Sequence, residues 1–218
     1  MSEQREAFAA QRERMVTEQI EGRGIHDPAI LQAMRSVQRE LFVADTYQIY
    51  AYDDTPLPIP NQQTISQPYV VALMIRALRL TPDANVLEIG TGSGYAAALL
   101  AQIAREVHSV ERHRKLVSYA RQRLTMLGYE NVFVHFGDGT LGWPQNAPYD
   151  AIMVSAGGPD VPHSLKSQMV VGGRLVMPIG ASERRQHLIC LTRESETGYR
   201  RTDLGAVAFV PLIGEEGW

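Results

Sequence analysis

Short apolar strands alternate with helices from residue 85 onward, and this alternation is the feature that most constrains the fold. It predicts an α/β fold with a mostly parallel, twisted sheet and helices on both faces. Strands are predicted at 86–89, 107–110, 132–136, 149–154, 173–177, 187–192 and 206–212, and helices at 95–104, 115–127 and 165–170. Such sheets bind ligands beyond the carboxyl ends of their strands, so a site is expected at that edge.

The first 80 residues do not show this alternation. An opening helix is predicted to end near Gly24, a short second helix to begin at the cap Asp27, and a third to follow Pro68 over 69–80. We therefore expect one domain over residues 1–218, since its length exceeds the usual domain size only modestly. The expected parts are a helical and loop extension over about 1–80, a core over about 81–195, and a closing strand with a tail over about 196–218.

Charge and composition exclude several classes of protein. The 24 acidic and 21 basic residues give a net charge of −3, which argues against a nucleic-acid partner. Charged residues interrupt the first 24 positions, so no secretory signal is expected there. Residues 55–75 carry no charge, but their prolines and amides favour a loop over a membrane span. The single cysteine, Cys190, suits a reducing compartment, so we expect a cytoplasmic protein. We also expect a monomer without a membrane partner.

A glycine-rich loop from Glu88 to Gly94 joins the first of these strands to its helix. Gly90 and Gly92 permit positive φ and a close approach of backbone to a ligand. Glu111 ends the second strand 21 residues after Gly90, where an acidic side chain can accept both hydroxyls of a ribose. Isolated glycines are also typical of tight turns, and Glu111 of a solvated strand end. The strand–loop–helix context favours an adenosine cofactor.

The spacing of the glycines disfavours a nicotinamide dinucleotide. The dinucleotide fingerprint is G-x-G-x-x-G or A, whereas here the third glycine comes one residue early and Tyr95 takes the last position. Tyr95 is expected to crowd a pyrophosphate. The loop instead resembles that of Rossmann-like methyltransferases, whose cofactor S-adenosyl-L-methionine (SAM) has no phosphate.

Two further segments permit a binding role or a structural one. Asp138, between Gly137 and Gly139 at the end of the third strand, can accept a hydrogen bond from an adenine amino group, or it can form an Asp-Gly turn. If Pro68 begins a helix, Ser66 lies just before the cap Gln67, where a substrate carboxylate would meet free backbone N–H groups. Serine is also common there for capping alone.

Nearly the whole chain resembles the protein-L-isoaspartate O-methyltransferase family. The most specific match is the loop from Pro56-Leu57-Pro58-Ile59 to Gln63-Thr64-Ile65-Ser66-Gln67-Pro68-Tyr69. Matches also occur, in order, at Arg23-Gly24-Ile25, Arg39-Glu40-Leu41-Phe42-Val43, 86–95, Gly137-Asp138-Gly139 and Phe209-Val210-Pro211-Leu212. The glycine loop is shared by many methyltransferases, whereas the Thr64-Ile65-Ser66 loop is far more specific.

The resemblance implies a Rossmann-like fold and transfer of a methyl group from SAM to the free carboxylate of L-isoaspartyl residues in proteins and peptides. The ester then collapses to a succinimide, whose hydrolysis returns some normal aspartate. Ser66 is implied as the active-site residue, with substrate contacts at Ile59, Thr64, Ile65, Ser66 and Val210. The implied cofactor contacts are Gln67, Pro68, Tyr69, Val70, Glu88, Gly90, Thr91, Gly92, Gly94, Glu111, Asp138 and Gly139. No metal ion is expected.

Some positions depart from the family pattern. Pro60 replaces a usual glycine, Gln62 and Gln38 also differ, and Gly157-Gly158 replaces alanines, which could widen a peptide cleft. One alternative is therefore a relative that methylates ordinary aspartate in a dedicated peptide and forms succinimide. A nicotinamide-dependent oxidoreductase is disfavoured by Tyr95. An inactive binding module requires both Ser66 and the SAM loop to have no role.

Overall fold

The computed structural model describes residues 2–182 and 185–218. Its helices are α1 (Ser2–Arg14), α2 (Pro28–Ser36), α3 (Pro68–Leu78), α4 (Tyr95–Ala101), α5 (Arg114–Met126) and α6 (His163–Ser167). Its strands are β1 (Leu57–Ile59), β2 (Gln63–Ile65), β3 (Asn85–Ile89), β4 (Glu106–Glu111), β5 (Val132–Phe136), β6 (Tyr149–Val154), β7 (Met169–Ser182), β8 (Arg185–Arg193) and β9 (Tyr199–Val207). Short helical turns lie at Met15–Ile20, Glu21–Arg23, Arg39–Phe42, Asp45–Tyr50, Gly139–Leu141 and Pro144–Asn146.

Seven strands form one sheet in the order β5-β4-β3-β6-β7-β8-β9. The first five are parallel, and β8 and β9 add two antiparallel strands at one edge. The chain leaves β3 toward β4 and later returns to its other side as β6. The carboxyl end of β3 is therefore the point where the strand order reverses, which is where open α/β sheets bind ligands. The predicted α/β, mostly parallel Rossmann-like sheet is confirmed.

Alternating strand residues build a separate core on each face of this sheet. In β6, Met153 faces the core that includes α3, α4 and α5, whereas Ile152 and Val154 face the core that includes Leu165 of α6. This period-two division follows from the pleat of a strand. Because both faces are covered, the central strands are buried almost throughout.

Residues before β3 pack on the α3–α5 side of the sheet. Met15, Val16 and Ile20 are fully buried there, and Gly24 ends this helical segment in a left-handed conformation. The Asp27 carboxylate accepts hydrogen bonds from the N–H groups of Ala29 and Ile30, which confirms its prediction as a helix cap.

Several predicted boundaries were wrong. The helix predicted at 165–170 spans His163–Ser167, because Met169 already pairs with Tyr149 as the start of β7. The last strand, predicted at 206–212, spans Tyr199–Val207. As the edge strand of the sheet, it is held by pairing with β8 and carries mostly exposed side chains, three of them charged, that give little apolar signal.

The uncharged segment 55–75 was expected to be a loop before a helix, but it begins with a β-hairpin. β1 and β2 pair antiparallel, and their turn places Asn61 and Gln62 at positive φ. Two strands of three residues, one of which contains a proline, give too weak a pattern to be recognised. The hairpin directs the chain through Ser66 into α3.

Candidate active site

A cleft of about 250 Å³ opens at the carboxyl ends of β3, β4 and β6. Of the predicted site residues, Thr64, Ile65, Ser66, Gly90, Thr91, Gly92, Glu111, Gly139 and Val210 line it. Ile59, Gln67, Pro68, Tyr69, Val70, Glu88, Gly94 and Asp138 do not. After the roles that the sequence predicts for them, we call the Gly90–Gly94 loop with Glu111 the cofactor half of the cleft, and the β1–β2 hairpin with Ser66 and the start of α3 the substrate half.

The glycine loop turns sharply away from β3 over the cleft. Gly90, Gly92 and Gly94 all have positive φ, which residues with a Cβ rarely adopt. The Gly90 N–H donates to the Val110 carbonyl at 2.9 Å, so the loop is tied to the neighbouring strand β4. A Cβ on Gly92 would lie 3.2 Å from Cδ1 of Ile59, which places the hairpin side chain directly against the loop.

Glu111 holds the cofactor half together from the end of β4. Its Oε2 accepts the Gly92 N–H at 3.0 Å and its Oε1 accepts the His113 N–H at 2.8 Å. The side chain lines the cleft, and each carboxylate oxygen has a further lone pair. The arrangement therefore fits an acceptor for two ribose hydroxyls that is oriented before any ligand arrives.

A buried polar chain supports the loop from below. The Ser109 hydroxyl donates to Glu88 Oε2 at 2.5 Å, and its oxygen lies 2.5 Å from Thr91 Oγ1, at the cleft wall. Burial raises the pKa of Glu88 to about 8, with the Ser109 hydrogen bond opposing and the Glu111 charge adding to this shift. Glu88 therefore holds its proton more readily than an exposed glutamate does, and it is linked to the cleft wall through Ser109 and Thr91.

Asp138 and Gly139 have different positions. Asp138 Oδ1 accepts the N–H and hydroxyl of Thr140, while Oδ2 accepts the Glu215 N–H at 2.8 Å. The pKa of Asp138 lies below its ordinary value. Burial by itself would raise this pKa, but the hydrogen bonds to the charged carboxylate have the larger combined effect. The carboxylate thus joins the turn after β5 to the C-terminal segment. Gly139 lies so close to Ile89 that a Cβ would come within 2.4 Å of Cγ2.

Ser66 lies between the end of β2 and the start of α3 and faces the cleft. Among the described residues, its hydroxyl has no hydrogen-bond partner. The sequence predicts free backbone N–H groups at the start of the neighbouring helix α3. One of them is occupied, because the Tyr69 N–H donates to Asp54 Oδ1 at 3.2 Å. Gln67 is the cap residue in position only, since its side chain makes no capping bond and instead donates to Asp54 Oδ2.

The C-terminal segment supplies another wall of the cleft through Val210, Pro211, Leu212 and Ile213. The buried Gln186 side chain fixes this segment, because it accepts the Phe209 N–H at 2.8 Å and donates to the Phe209 carbonyl at 3.1 Å. The expectation that Gly157-Gly158 widens the cleft was wrong. Both are buried, and the space beside Gly157 is filled by Gln186 and that beside Gly158 by Met177.

Tyr95 does not act as expected either. Its ring is 1 % exposed and packs edge-on against Phe42 at 5.7 Å, beneath the guanidinium of the fully buried Arg39. Although the residue borders the cleft, its phenol oxygen points to Met34 in the core. Tyr95 therefore fastens α4 to the N-terminal segment, because its side chain turns inward from the loop.

Some lining residues were missed by sequence reasoning. Arg112 and His113 directly follow Glu111, and Ser155 and Ala156 follow β6 at the point of strand reversal. Their position after these strands was the available signal. The charged side chains Glu111 and Arg112 come from the end of β4, so the substrate half contributes no charged group to the described lining.

Two histidines that look unrelated in sequence form a pair on the sheet. His108 Nδ1 lies 3.1 Å from His135 Nε2, and His135 stacks on Trp143. Burial lowers the pKa of both rings, that of His135 to about 4 with additional repulsion from His108 and Arg121. In the described part of the chain, no group of three His, Cys, Asp or Glu residues is arranged to hold a metal ion. No described helix is long and apolar enough to cross a membrane.

Comparison with known families gives one consistent match. The sequence profile of the family described as protein-L-isoaspartate(D-aspartate) O-methyltransferase matches residues 10–217. Protein-L-isoaspartate O-methyltransferase 1 of Rhodopseudomonas palustris (strain HaA2) is 57% identical over 218 residues, which are 100% of this chain and 89% of the relative. Protein-L-isoaspartate O-methyltransferase 2 of Pelobacter propionicus is 59% identical over 207 residues, covering 95% of this chain and 92% of the relative.

Solved structures agree with this match. A structure named protein-L-isoaspartate O-methyltransferase superposes with a TM-score of 0.86 at 31% identity and covers 94% of this chain and 67% of its own. A Plasmodium falciparum structure solved with S-adenosyl-L-homocysteine has a TM-score of 0.80 at 24% identity and covers 93% of this chain and 98% of its own, which shows the shared fold.

Proposed function

The chain belongs to the protein-L-isoaspartate(D-aspartate) O-methyltransferase family, and we propose that it methylates the free carboxylate of L-isoaspartyl residues in proteins and peptides. It is a SAM-dependent carboxyl O-methyltransferase. The observation that carries this proposal is the joining of the Thr64–Ser66 loop with the glycine loop and Glu111 in one cleft. One half fits an adenosine cofactor, and the other brings an uncharged wall with a free hydroxyl beside it.

The cofactor half fits SAM. Left-handed glycines leave the backbone open to a ligand, and Glu111 is held with lone pairs for ribose hydroxyls. When bound, SAM supplies a methyl group on a positively charged sulfur, which becomes neutral in the product S-adenosyl-L-homocysteine. We assign Gly90, Thr91, Gly92, Glu111 and Gly139 to direct contact with the cofactor.

The other predicted cofactor residues do not line the cleft and act on it through their neighbours. Glu88 supports Thr91 through Ser109, and Gly94 provides the turn into α4. Gln67 to Val70 form the start of α3, and Asp138 holds the turn that contains Gly139. For these residues we propose a structural contribution to the site.

The substrate half needs to orient a carboxylate and does not need to ionise it. A carboxylate with a pKa near 4 is already charged at neutral pH, so no general base is required. We propose that the Ser66 hydroxyl donates a hydrogen bond to one carboxylate oxygen and leaves the other free to attack. Alignment of reacting groups is worth about 7–11 kcal/mol at best. The absence of charge over residues 55–75 avoids a cation that would damp the nucleophile.

The remaining assignments are also proposals. Ile59, Thr64, Ile65 and Val210 contact the substrate, residues 1–80 form a substrate-side extension, and the chain acts as a cytoplasmic monomer. Ile59 packs on Gly92 and so reaches the substrate at the junction of the two halves.

A labelled-methyl experiment tests the proposed function. The protein is incubated with methyl-labelled SAM and matched peptides that contain isoaspartate or aspartate at one position, and base-labile methyl ester is measured. Label on the isoaspartyl peptide alone is expected. Label only on the aspartyl peptide would overturn the proposal in favour of an aspartate methyltransferase.

A further inference from the structure

We infer that Asp54 is a positioning residue that fixes the Ser66 loop to the N-terminal helical segment; this inference rests on the proposed role of Ser66. Asp54 immediately precedes the uncharged segment 55–75, and its carboxylate joins three parts of the molecule. It does not line the cleft, so it acts on the substrate half through the residues that it holds.

Both oxygens of Asp54 are engaged. Oδ2 accepts hydrogen bonds from the Gln67 side-chain amide at 2.6 Å and from Arg23 Nη1 at 2.7 Å. Oδ1 accepts the backbone N–H of Tyr69 at 3.2 Å. Asp54 therefore binds the two positions that flank Pro68, and the first of these follows Ser66 directly in the chain.

The start of α3 depends on this distant carboxylate. The first N–H groups of a helix have no partner within the helix and usually bond to the side chain of the adjacent cap residue. Here the adjacent residue Gln67 makes no such bond, and Asp54 supplies the acceptor from 15 positions away in sequence. A negative charge at this end also interacts favourably with the helix dipole.

Arg23 completes the cluster from the N-terminal segment. Its guanidinium carbon lies 3.3 Å from the centroid of the Tyr69 ring while Nη1 pairs with Asp54. The Arg23 side chain is 45% exposed, so the ion pair contributes little by itself. Its consequence is local charge balance, because the Asp54 carboxylate behind the Ser66 loop is paired with the positive charge of Arg23.

The decisive variant is Asp54→Ala, compared with Asp53→Ala. Asp53 is the adjacent, exposed carboxylate, and its side chain makes no hydrogen bond with the described residues. With an isoaspartyl peptide, Asp54→Ala is expected to lower kcat/KM about tenfold, equivalent to ~1.4 kcal/mol. The Kd for S-adenosyl-L-homocysteine, measured by calorimetry, should stay within about twofold, as should every value for Asp53→Ala.

A conservative variant separates hydrogen bonding from charge. Asp54→Asn keeps a carbonyl oxygen for the Tyr69 N–H and loses the charge opposite Arg23, so its kcat/KM should lie between wild type and Asp54→Ala. Equal losses of peptide turnover and S-adenosyl-L-homocysteine affinity in Asp54→Ala would overturn the inference, because they would indicate general damage to the fold.

Hydrogen–deuterium exchange gives a readout that does not depend on activity. Asp54→Ala should speed exchange in the peptide that covers residues 66–72, and Asp53→Ala should not. Unchanged exchange there would overturn the inference, even if the wild-type protein proved inactive on isoaspartyl peptides. Absence of wild-type activity would instead refute the proposed function.

Discussion

The cofactor half and the substrate half of the cleft are held in place by different kinds of contact. The glycine loop is anchored by the backbone hydrogen bond from Gly90 to Val110 of the neighbouring strand β4 and by Glu111 at the end of that strand. The Ser66 loop follows a hairpin of two three-residue strands and is fastened by side chains from distant positions, above all Asp54. Substitutions in the first half should therefore affect cofactor binding, and those in the second should affect turnover.

Glu111→Gln should give the largest effect, on the cofactor half. Each carboxylate oxygen accepts a hydrogen bond from a backbone N–H group. In the glutamine variant, the side-chain NH₂ group would replace one of these oxygens, so it would face an N–H donor and could not accept a hydrogen bond from a ribose hydroxyl. We expect the Kd for S-adenosyl-L-homocysteine to rise about 30–1,000-fold, or roughly 2–4 kcal/mol, in a calorimetric titration.

The matched control is Glu106→Gln at the opposite end of β4. This glutamate pairs with Arg105 at 2.9 Å on the surface, so its replacement should leave the Kd unchanged. If Glu111→Gln bound as tightly as wild type, the assignment of Glu111 to the ribose would fail.

Ser66→Ala should separate the two halves by lowering turnover while cofactor affinity stays constant. Loss of a hydrogen bond to a charged group costs about 1.5–3 kcal/mol, which predicts a roughly 10–150-fold fall in kcat with an isoaspartyl peptide. Ser66→Thr keeps the hydroxyl and should recover part of the rate. Parallel losses of kcat and S-adenosyl-L-homocysteine affinity would contradict a division between the halves.

Gln186→Ala tests the wall that Val210 contributes to the cleft. The variant removes two hydrogen bonds to the half-buried backbone of Phe209 and should lower the free energy of unfolding by about 1–3 kcal/mol in chemical denaturation. It should also raise the KM for the peptide. His187→Ala, at the exposed neighbouring position, should be nearly neutral; a peptide KM that stayed unchanged in Gln186→Ala would argue against Val210 as a substrate contact.

The histidine pair predicts the smallest effect, on the acid stability of the sheet that carries the cofactor half. Burial lowers the folded-state pKa of His108 and His135, so stability is complete above the ordinary value of 6.5 and falls as pH drops toward the His135 pKa of about 4. His135→Phe removes one titrating ring. Between pH 6.5 and pH 4, it should lose about 1–2 kcal/mol less stability than wild type, after allowance for partial exposure.

Denaturation midpoints at a series of pH values measure this difference. Glu106 and Arg121 also face the pair, and both remain in the variant. An identical pH dependence in the two proteins would mean that the pair does not control acid stability.

The sequence predicted those features that are formed by residues close together in the chain. Gly90 to Gly94 and Glu111 could be located because a glycine loop between a strand and a helix, with an acid at the next strand end, forms one local pattern. The fold followed from the same alternation. The β1–β2 hairpin and the edge strand β9 were missed because short or edge strands bury too little apolar surface to show a periodic pattern.

Contacts between distant residues could not be predicted in this way. Tyr95 has the spacing of a residue that blocks pyrophosphate, yet its ring fills the core beside Phe42. Gly157 has the small size that suggests a wider cleft, yet Gln186 occupies the space. In both cases, the side chain that determines the packing comes from a part of the chain that is distant in sequence.

By itself, the sequence determined the class of fold and located the glycine loop, Glu111 and the segment that carries Ser66, because each depends on the order of residues within a short segment. Only the tertiary structure decided which side chains hold that loop. Asp54, Arg23 and Tyr69 come together because the N-terminal segment packs on the same side of the sheet as α3. The hydrogen bonds that hold Gln67 and the start of α3 next to Ser66 require this packing, since no local pattern of residues encodes a partner from a distant segment.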